Sequence, residues 1–582
     1  MMMQTAAGLV QRAEPVKLNQ AVAAQGAYAQ PNSARIVAAL RAGQQTSSSQ
    51  SRHLQSAALA AGSAALVLTS RRRSSKRAHP PTKCHAQSEV LDVVIVGSGV
   101  SGLSAAVQLR KDVPNASIFI TEARDRVGGN ITTMTGNGRL WEEGPNSFQP
   151  GDAILSTACD VGLQEDILLA DPSSYRFVWW DGQLRALPAG PSDAVFGDFL
   201  SWPGKIRAGL GAIGIKDPMP NREESVKEFV TRNLGPEAFE RLIDPFVSGV
   251  YAGDPADLSA EAATGRVQVL EKNGGSLVGG AIDFLQKKSE SPPRDPRLPE
   301  VKGQTVGSFR GGLKQFAEAM ADHLKKSGAD IELNMKLEKY SWDASKEEHV
   351  LEYSTSSGKR TLRSKSVILT APAHVTSEIL RPISEEAAEA LNEIKYPRVA
   401  AVTVEYPKSA FREPEHGKGA VNGFGQLHPR SQGIRTLGTI YSSSLFPNRV
   451  PDEDRVMLLH YIGGARDPEL FGGIEDMSEG EIVEATHKDT TTTMLNPGAE
   501  MPDVLGVRVW PRAIPQFSVG HAKRLERARG GLESAGVKGM YLLGNYTGGV
   551  ALGRCVEYGL EIGKEVGVFA QEAHAKQPQM QH

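Results

Sequence analysis

The chain has 582 residues, with 65 Lys and Arg against 67 Asp and Glu and a formal net charge of −2. Much of the basic excess sits at the N-terminus, so the remainder is acidic and a nucleic-acid partner is disfavoured. Only Cys84, Cys159 and Cys555 occur, with no paired spacing and no HExxH, calcium-loop or Walker lysine motif, so neither a disulfide framework nor a metal site is indicated.

From Met1 to Ser88 the only acidic residue is Glu14, set against clustered arginines in an Ala, Ser and Gln background. Such a tract cannot bury enough apolar surface to offset its ordering entropy. A basic, Ser-rich, acid-poor leader reads as a disordered organelle transit peptide, plastid or mitochondrial, processed between Arg77 and Ser88. Its apolar run ending at Thr69 is too short to span a bilayer. Beyond it, roughly 495 residues exceed one hydrophobic core and imply two or three domains.

The first structured stretch is expected at Asp92–Val96, an apolar run that reads as a buried parallel strand. It enters Gly97-Ser98-Gly99-Val100-Ser101-Gly102 and then a helix with small residues at Ala105 and Ala106. Gly97 serves the tight turn, Gly99 lets a pyrophosphate approach the backbone, and Gly102 lets helix and strand pack closely. A second strand, SIFITE, ends at Glu122, whose carboxylate is placed for a ribose 2′-OH. NAD and FAD both satisfy this pattern. The continuation Arg126-Val127-Gly128-Gly129 adds a cation and a compact loop to the phosphate site. This RxGG sequence resembles the flavin amine oxidase and protoporphyrinogen oxidase superfamily, in which the cofactor is FAD, so FAD is the cofactor expected here.

Between Pro191 and Glu300 the pattern is mostly helical. ESVKEFVTRNLG puts Val226, Phe229, Val230 and Leu234 on one face, and Pro236 opens a further helix, PEAFERLIDPF. Upstream, Phe196, Phe199, Trp202 and Ile206 form either an interfacial surface that dips into a bilayer or an internal core. Residues 289–303 read as a Pro-rich surface loop. Gly311-Gly312 leads into an amphipathic helix, and Ser364–Pro372 reads as a buried strand with a turn. Residues 373–530 are richer in short alternating strands, such as AAVTVEYP and RVMLLHYIGG. At the C-terminus Tyr541–Leu543 reads as a strand, Gly544-Asn545 as a turn, and the residues from about Leu552 as a helix containing Cys555, a small core residue.

WEEGPNSF, FVSGVYAGDP, the stretch from Gly423 to Arg449 and the C-terminal block, taken together from about Asp92 onward, resemble the protoporphyrinogen oxidases, chiefly those of plastids. The resemblance implies an α/β fold. Its parts are a discontinuous FAD-binding Rossmann-like domain (89–150, 301–372, 531–582), a mixed-sheet substrate domain (151–190, 373–530) and a helical, membrane-associating subdomain (191–300), all after a leader of 1–88. It also implies non-covalent FAD contacts at Ser98, Val100, Ser101, Ala123, Asn130, Gly144, Pro145, Asn146, Ser147, Leu337, Asn545, Val550, Ala551 and Leu552, besides those already named from the motif. The C-terminal helix end would face the flavin ring and stabilise negative charge on it.

The activity implied is oxidation of protoporphyrinogen IX to protoporphyrin IX, with electrons passing through FAD to oxygen and hydrogen peroxide as product. On the same resemblance Arg176 pairs with a substrate propionate and Phe424 stacks on the tetrapyrrole, with Leu427 nearby. No catalytic acid or base is nominated, because hydride loss from an electron-rich methine carbon needs no dedicated base. A chloroplast location is expected, with the mitochondrion as alternative, peripheral to a thylakoid or envelope membrane; a homodimer stays open. Rival readings are another FAD amine oxidase or carotenoid desaturase, and a non-enzymatic prenyl-protein escort.

Overall fold

A computed structural model describes residues 90–188, 196–289, 294–413 and 421–576. The expected leader lies outside the described residues, as does part of the Pro-rich loop, 290–293.

The first strand, Val90–Val96, is central to a seven-stranded sheet. It pairs in parallel with Gly358–Leu369 on one side and Ile118–Thr121 on the other, and Asp330–Glu332 extends that second edge. The long strand Gly358–Leu369 takes two partners along one edge. Its first half pairs antiparallel with Glu348–Thr355, and its last residues pair in parallel with Met540–Leu542. Three distant stretches of chain therefore build one sheet. Parallel strands are buried on both faces, and here Val93 and Ile95 enter one core while Val94 and Val96 enter another. The helices Val100–Asp112, Lys314–Lys326 and Leu552–Lys576 cover the first face. Helices Ala373–Leu380, Glu385–Asn392 and His521–Ser534 cover the second.

A second seven-stranded sheet is mostly antiparallel and joins Arg176–Ala186 to strands between Val399 and Trp510. Val399–Pro407 and Arg455–Gly463 were expected to alternate between buried and exposed residues. They do not: Val399 to Tyr406 are all buried. Helix Glu479–Thr493 lies over one face, and the other faces the first sheet's loops. A strand covered on both sides has no reason to alternate.

The helical excursion begins with Trp202–Ala212 and Val226–Leu234. The second starts in a reciprocal capping box: Ser225 Oγ accepts from Glu228 N, and the Glu228 carboxylate accepts from Ser225 N. The single helix expected from Pro236 contains a π-helical stretch, Phe239–Ile243, before continuing as Asp244–Tyr251. Pro245, without an N–H, sits just past the wide turn, which relieves its clash with the preceding turn's carbonyls. The apolar residues upstream divide. Phe199 is 4% exposed and internal, whereas Phe196 (80%), Trp202 (62%) and Ile206 (60%) face outward, joined by Ile213 and Ile215. Among the described residues, no helix is long and apolar enough to cross a membrane.

Candidate functional site

The fingerprint loop sits at the carboxyl end of the central strand, where a crevice ligand is expected in such folds. Gly97 has φ +109°, and a Cβ there would collide with Thr370 Oγ1. Thr370, at the end of the neighbouring strand, donates to Val96 O at 2.9 Å and to Gly97 O at 3.1 Å, so it stitches the turn in place. A Cβ on Gly102 would lie 2.5 Å from Gly97 O, which explains that glycine by packing alone. Gly99 is different. Its φ of −68° suits any residue, and a Cβ there would meet nothing closer than Gly129 Cα at 4.0 Å. Nothing among the described residues requires glycine there, but a close-lying ligand would. No side chain caps the helix that follows, and its first turn carries no acid. Val100 and Ser101, in that first turn, are buried. The helix end is thus left to an outside anion.

Glu122 stands beside this loop, but its carboxylate is already engaged. Oε2 accepts from Ser98 N at 2.9 Å and Ser98 Oγ at 2.8 Å, and Oε1 accepts from Arg124 N at 3.0 Å. The Ser98 amide therefore serves Glu122 rather than a phosphate, while the carboxylate's remaining lone pairs stay open to a hydroxyl. Ala123, next to it, is exposed, and Met335 N, two residues before Leu337, donates to Glu122 O at 2.8 Å. Gly128 N donates to Ser98 O, and Gly129, with φ +59°, backs onto Gly99. Arg126, the cation expected at the phosphate site, is held against this loop. Its guanidinium donates to Val127 O, Ile131 O, Gly129 O and Thr132 Oγ1. A planar fork with so many internal acceptors shapes the loop, and little of it is left for a ligand.

The next segment packs on this loop: a Cβ on Gly144 would collide with Asn130 O. Pro145 and Ser147 are partly buried, and Asn146 is 7% exposed with Nδ2 lacking any partner. A buried, unpaired amide is costly unless a ligand takes it up. Two neighbours went unnoticed in the sequence. Buried Glu142 accepts from Thr133 Oγ1 at 2.7 Å and Leu313 N at 2.8 Å, and burial pushes its carboxyl up to about 7. Arg449 is buried nearby with Nη2 donating to Ser308 Oγ.

At the chain's end Asn545, Val550 and Ala551 lead into helix Leu552–Lys576, whose first turn is also free of acids. This helix runs parallel to the fingerprint helix at very short range. A Cβ on Gly559 would lie 2.6 Å from Ser101 O, and one on Gly563 would lie 2.5 Å from Ala105 O. Gly559 and Gly563, one turn apart, bring both helix N-termini to the same end of the sheet, a signal carried in the sequence by small residues at i, i+4. Cys555 is buried, as expected, with Sγ 3.3 Å from Gly549 O.

On the second sheet Arg176, Phe424 and Leu427 come together. Arg176 pairs with Gly425 across parallel strands, and its guanidinium carbon lies 4.8 Å from the Phe424 ring centroid. Arg176 Nη2 donates to Gln304 O at 2.7 Å, and burial lowers the guanidinium's pKa. Leu427 abuts Gly249 of helix Asp244–Tyr251, where a Cβ would lie 2.5 Å from Leu427 Cδ2. Phe424 packs against the cluster of Ala170, Val306, Leu445 and Phe446, which gives an apolar wall beside the Arg176 guanidinium. This group and the fingerprint group lie on different sheets, and the loop that carries Gly144 is one of the segments that connect them.

The sequence profile described as flavin containing amine oxidoreductase matches residues 100–566. The chloroplastic protoporphyrinogen oxidase 1 of Spinacia oleracea is 53% identical over 481 residues, covering 82% of this chain and 84% of that protein. Protoporphyrinogen oxidase 1, chloroplastic, of Arabidopsis thaliana is 52% identical, covering 82% and 88%. Among solved structures, putrescine oxidase carrying three substitutions in its cofactor site superimposes with a TM-score of 0.57 at 20% identity, over 82% of this chain and 98% of that one.

Proposed function

Because the chain belongs to the family of flavin-containing amine oxidoreductases, we propose that it is an FAD-dependent oxidase of the chloroplast that converts protoporphyrinogen IX to protoporphyrin IX. The observation that carries this reading is identity above one half to chloroplastic proteins named for that activity, over 84% and 88% of their lengths. The cofactor fits on this chain's own geometry: Gly99 leaves a cradle that a Cβ would fill, and Asn146 Nδ2 is an unpaired buried donor.

In this reading the uncapped ends of helices Val100–Asp112 and Leu552–Lys576 hold the pyrophosphate and face the flavin ring, respectively. Glu122 takes a ribose hydroxyl, and Ala123 and Leu337 flank the nucleoside. The Gly129–Asn130 and Gly144–Ser147 segments, with Asn545 and Val550–Leu552, enclose the rest. When bound, FAD supplies the electron sink, with molecular oxygen as the final acceptor and hydrogen peroxide as product. Arg176 pairs with a propionate, Phe424 stacks on the tetrapyrrole and Leu427 closes the apolar wall; no side chain acts as a base.

The chain pieces 89–150, 301–372 and 531–582 act as one FAD domain, 151–190 and 373–530 as a substrate domain, and residues 1–88 as a plastid transit peptide. The outward Phe196, Trp202, Ile206, Ile213 and Ile215 support peripheral contact of the 191–300 subdomain with a thylakoid or envelope membrane. Protoporphyrin fluorescence developing from protoporphyrinogen, with a yellow protein starting near Ser88, tests the activity. A yellow protein that forms no porphyrin would refute it.

A further inference from the structure

The loop from Glu143 to Phe148 lies between the two sheets and is held from both sides. On the first-sheet side Glu143 N donates to Thr132 O at 2.8 Å, and Gly144 is in contact with Asn130 O. Asn130 follows Gly129, which backs onto Gly99, so a shift of this loop is passed on to the fingerprint. On the second-sheet side, two side chains reach consecutive carbonyls. Tyr461, in strand Arg455–Gly463, donates its hydroxyl to Gly144 O at 3.0 Å. Trp510, ending strand Asp503–Trp510, donates Nε1–H to Glu143 O at 2.7 Å. The hairpin leading into the loop is tied to the same sheet, since Arg139 Nε donates to the Glu405 carboxylate at 2.9 Å.

We propose that Tyr461 and Trp510 are positioning residues, a two-point clamp that sets the loop carrying Asn146 at a fixed distance from the substrate sheet. The inference rests on the cofactor and substrate assignment above. Two donors on adjacent carbonyls fix backbone position and orientation together, which one contact could not do. The loop's next polar group, Asn146 Nδ2, is the unpaired donor assigned to the cofactor. Arg176, Phe424 and Leu427 sit on the same sheet as both clamp residues. The clamp thus ties the loop carrying Asn146 to the surface that would carry the substrate, and reaction rates are steep in that spacing. Burial raises the Tyr461 phenol's pKa, so it remains a donor throughout the working pH range.

The test uses the holoenzyme and two single variants, Tyr461→Phe and Trp510→Phe, each of which removes a donor while keeping an aromatic ring. Four quantities are read: melting temperature, visible circular dichroism of the bound flavin, kcat and KM. The expected result is near-wild-type melting, an altered flavin dichroism, and kcat lower by roughly tenfold with KM within about twofold. Unchanged dichroism and kcat in Tyr461→Phe would overturn the proposal, because the hydroxyl would then be interdomain adhesion only. If Tyr461→Phe fails to retain FAD, Trp510→Phe decides by the same criteria. Altered dichroism in a protein whose wild type does not oxidise protoporphyrinogen would uphold the clamp and refute the activity.

Discussion

A Cβ built on Gly129 would sit 3.2 Å from Gly99 Cα, so these two glycines meet back to back and join the fingerprint loop to the second glycine loop. They are glycines for different reasons. Gly129 has a positive φ and a crowded neighbour, whereas Gly99 has an ordinary φ and open space.

Gly99→Ala is therefore expected to leave the apoprotein's melting temperature unchanged and to weaken FAD binding, while Gly99→Asp should give a colourless protein. Gly102→Ala is the contrast. Its Cβ would press on Gly97 O, and the fold itself should lose about 1–3 kcal/mol. FAD content and apoprotein melting, measured side by side, separate the two. Stoichiometric flavin in Gly99→Asp would remove that residue from the cofactor site.

Arg176→Ala should raise KM by roughly 30-fold, from about 2 kcal/mol for truncating one partner of a half-buried ion pair. The contact exists in ground and transition states alike, so kcat should change little. Arg176→Lys should restore only part of the loss, since a point charge cannot reproduce a bidentate fork. Steady-state kinetics with flavin content held at wild-type level checks this, and an unchanged KM would make Arg176 a structural partner of Gln304 only.

Glu142 should make the protein less stable as pH rises from 4.5 to 7. The folded carboxyl titrates near 7 and the unfolded one near 4.5, so the folded state binds more protons in that window. The stability it contributes, of order a few kcal/mol, is complete below pH 4.5 and lost above 7. Glu142→Gln keeps an acceptor for Leu313 N and removes the titration. Its melting temperature should exceed the wild-type value increasingly from pH 5 to pH 8; parallel curves would show that Glu142 does not titrate there.

His428 and His460 should act in the opposite direction. Burial depresses both rings to about 3, and unfolding lets them protonate near 6.5. The unfolded state binds more protons between these values, so stability is lost as pH falls below 6.5. His428→Asn can still offer an N–H to Thr436 O, the acceptor 2.7 Å from His428 Nδ1. This variant should unfold at a lower pH than wild type in an acid titration followed by circular dichroism. An unchanged midpoint would mean that other groups drive acid unfolding.

What the sequence determined by itself is what short-range spacing encodes. A buried strand, three glycines and a helix follow one another within 25 residues, and their roles depend on steps of one turn or one pleat. Glu122, the apolar face of Val226, Phe229, Val230 and Leu234, and the helix from Leu552 were legible for the same reason, and the plastid-type resemblance rested on motifs in order along the chain. The tertiary structure decided matters that depend on which strands become neighbours. Thr370 stitches Gly97 across 273 positions, Tyr461 reaches Gly144 across 317, and burial raises the Glu142 carboxyl against its hydrogen-bond donors. Arg126 reads as a phosphate cation, and only the folded loop shows that its guanidinium also donates to the Ile131 and Gly129 carbonyls. Phe196 and Phe199 look alike in sequence, yet only one faces outward. Hydrophobic periodicity records which face of an element is buried, but not what is packed against it. A donor's partner and a carboxyl's desolvation are properties of that second surface.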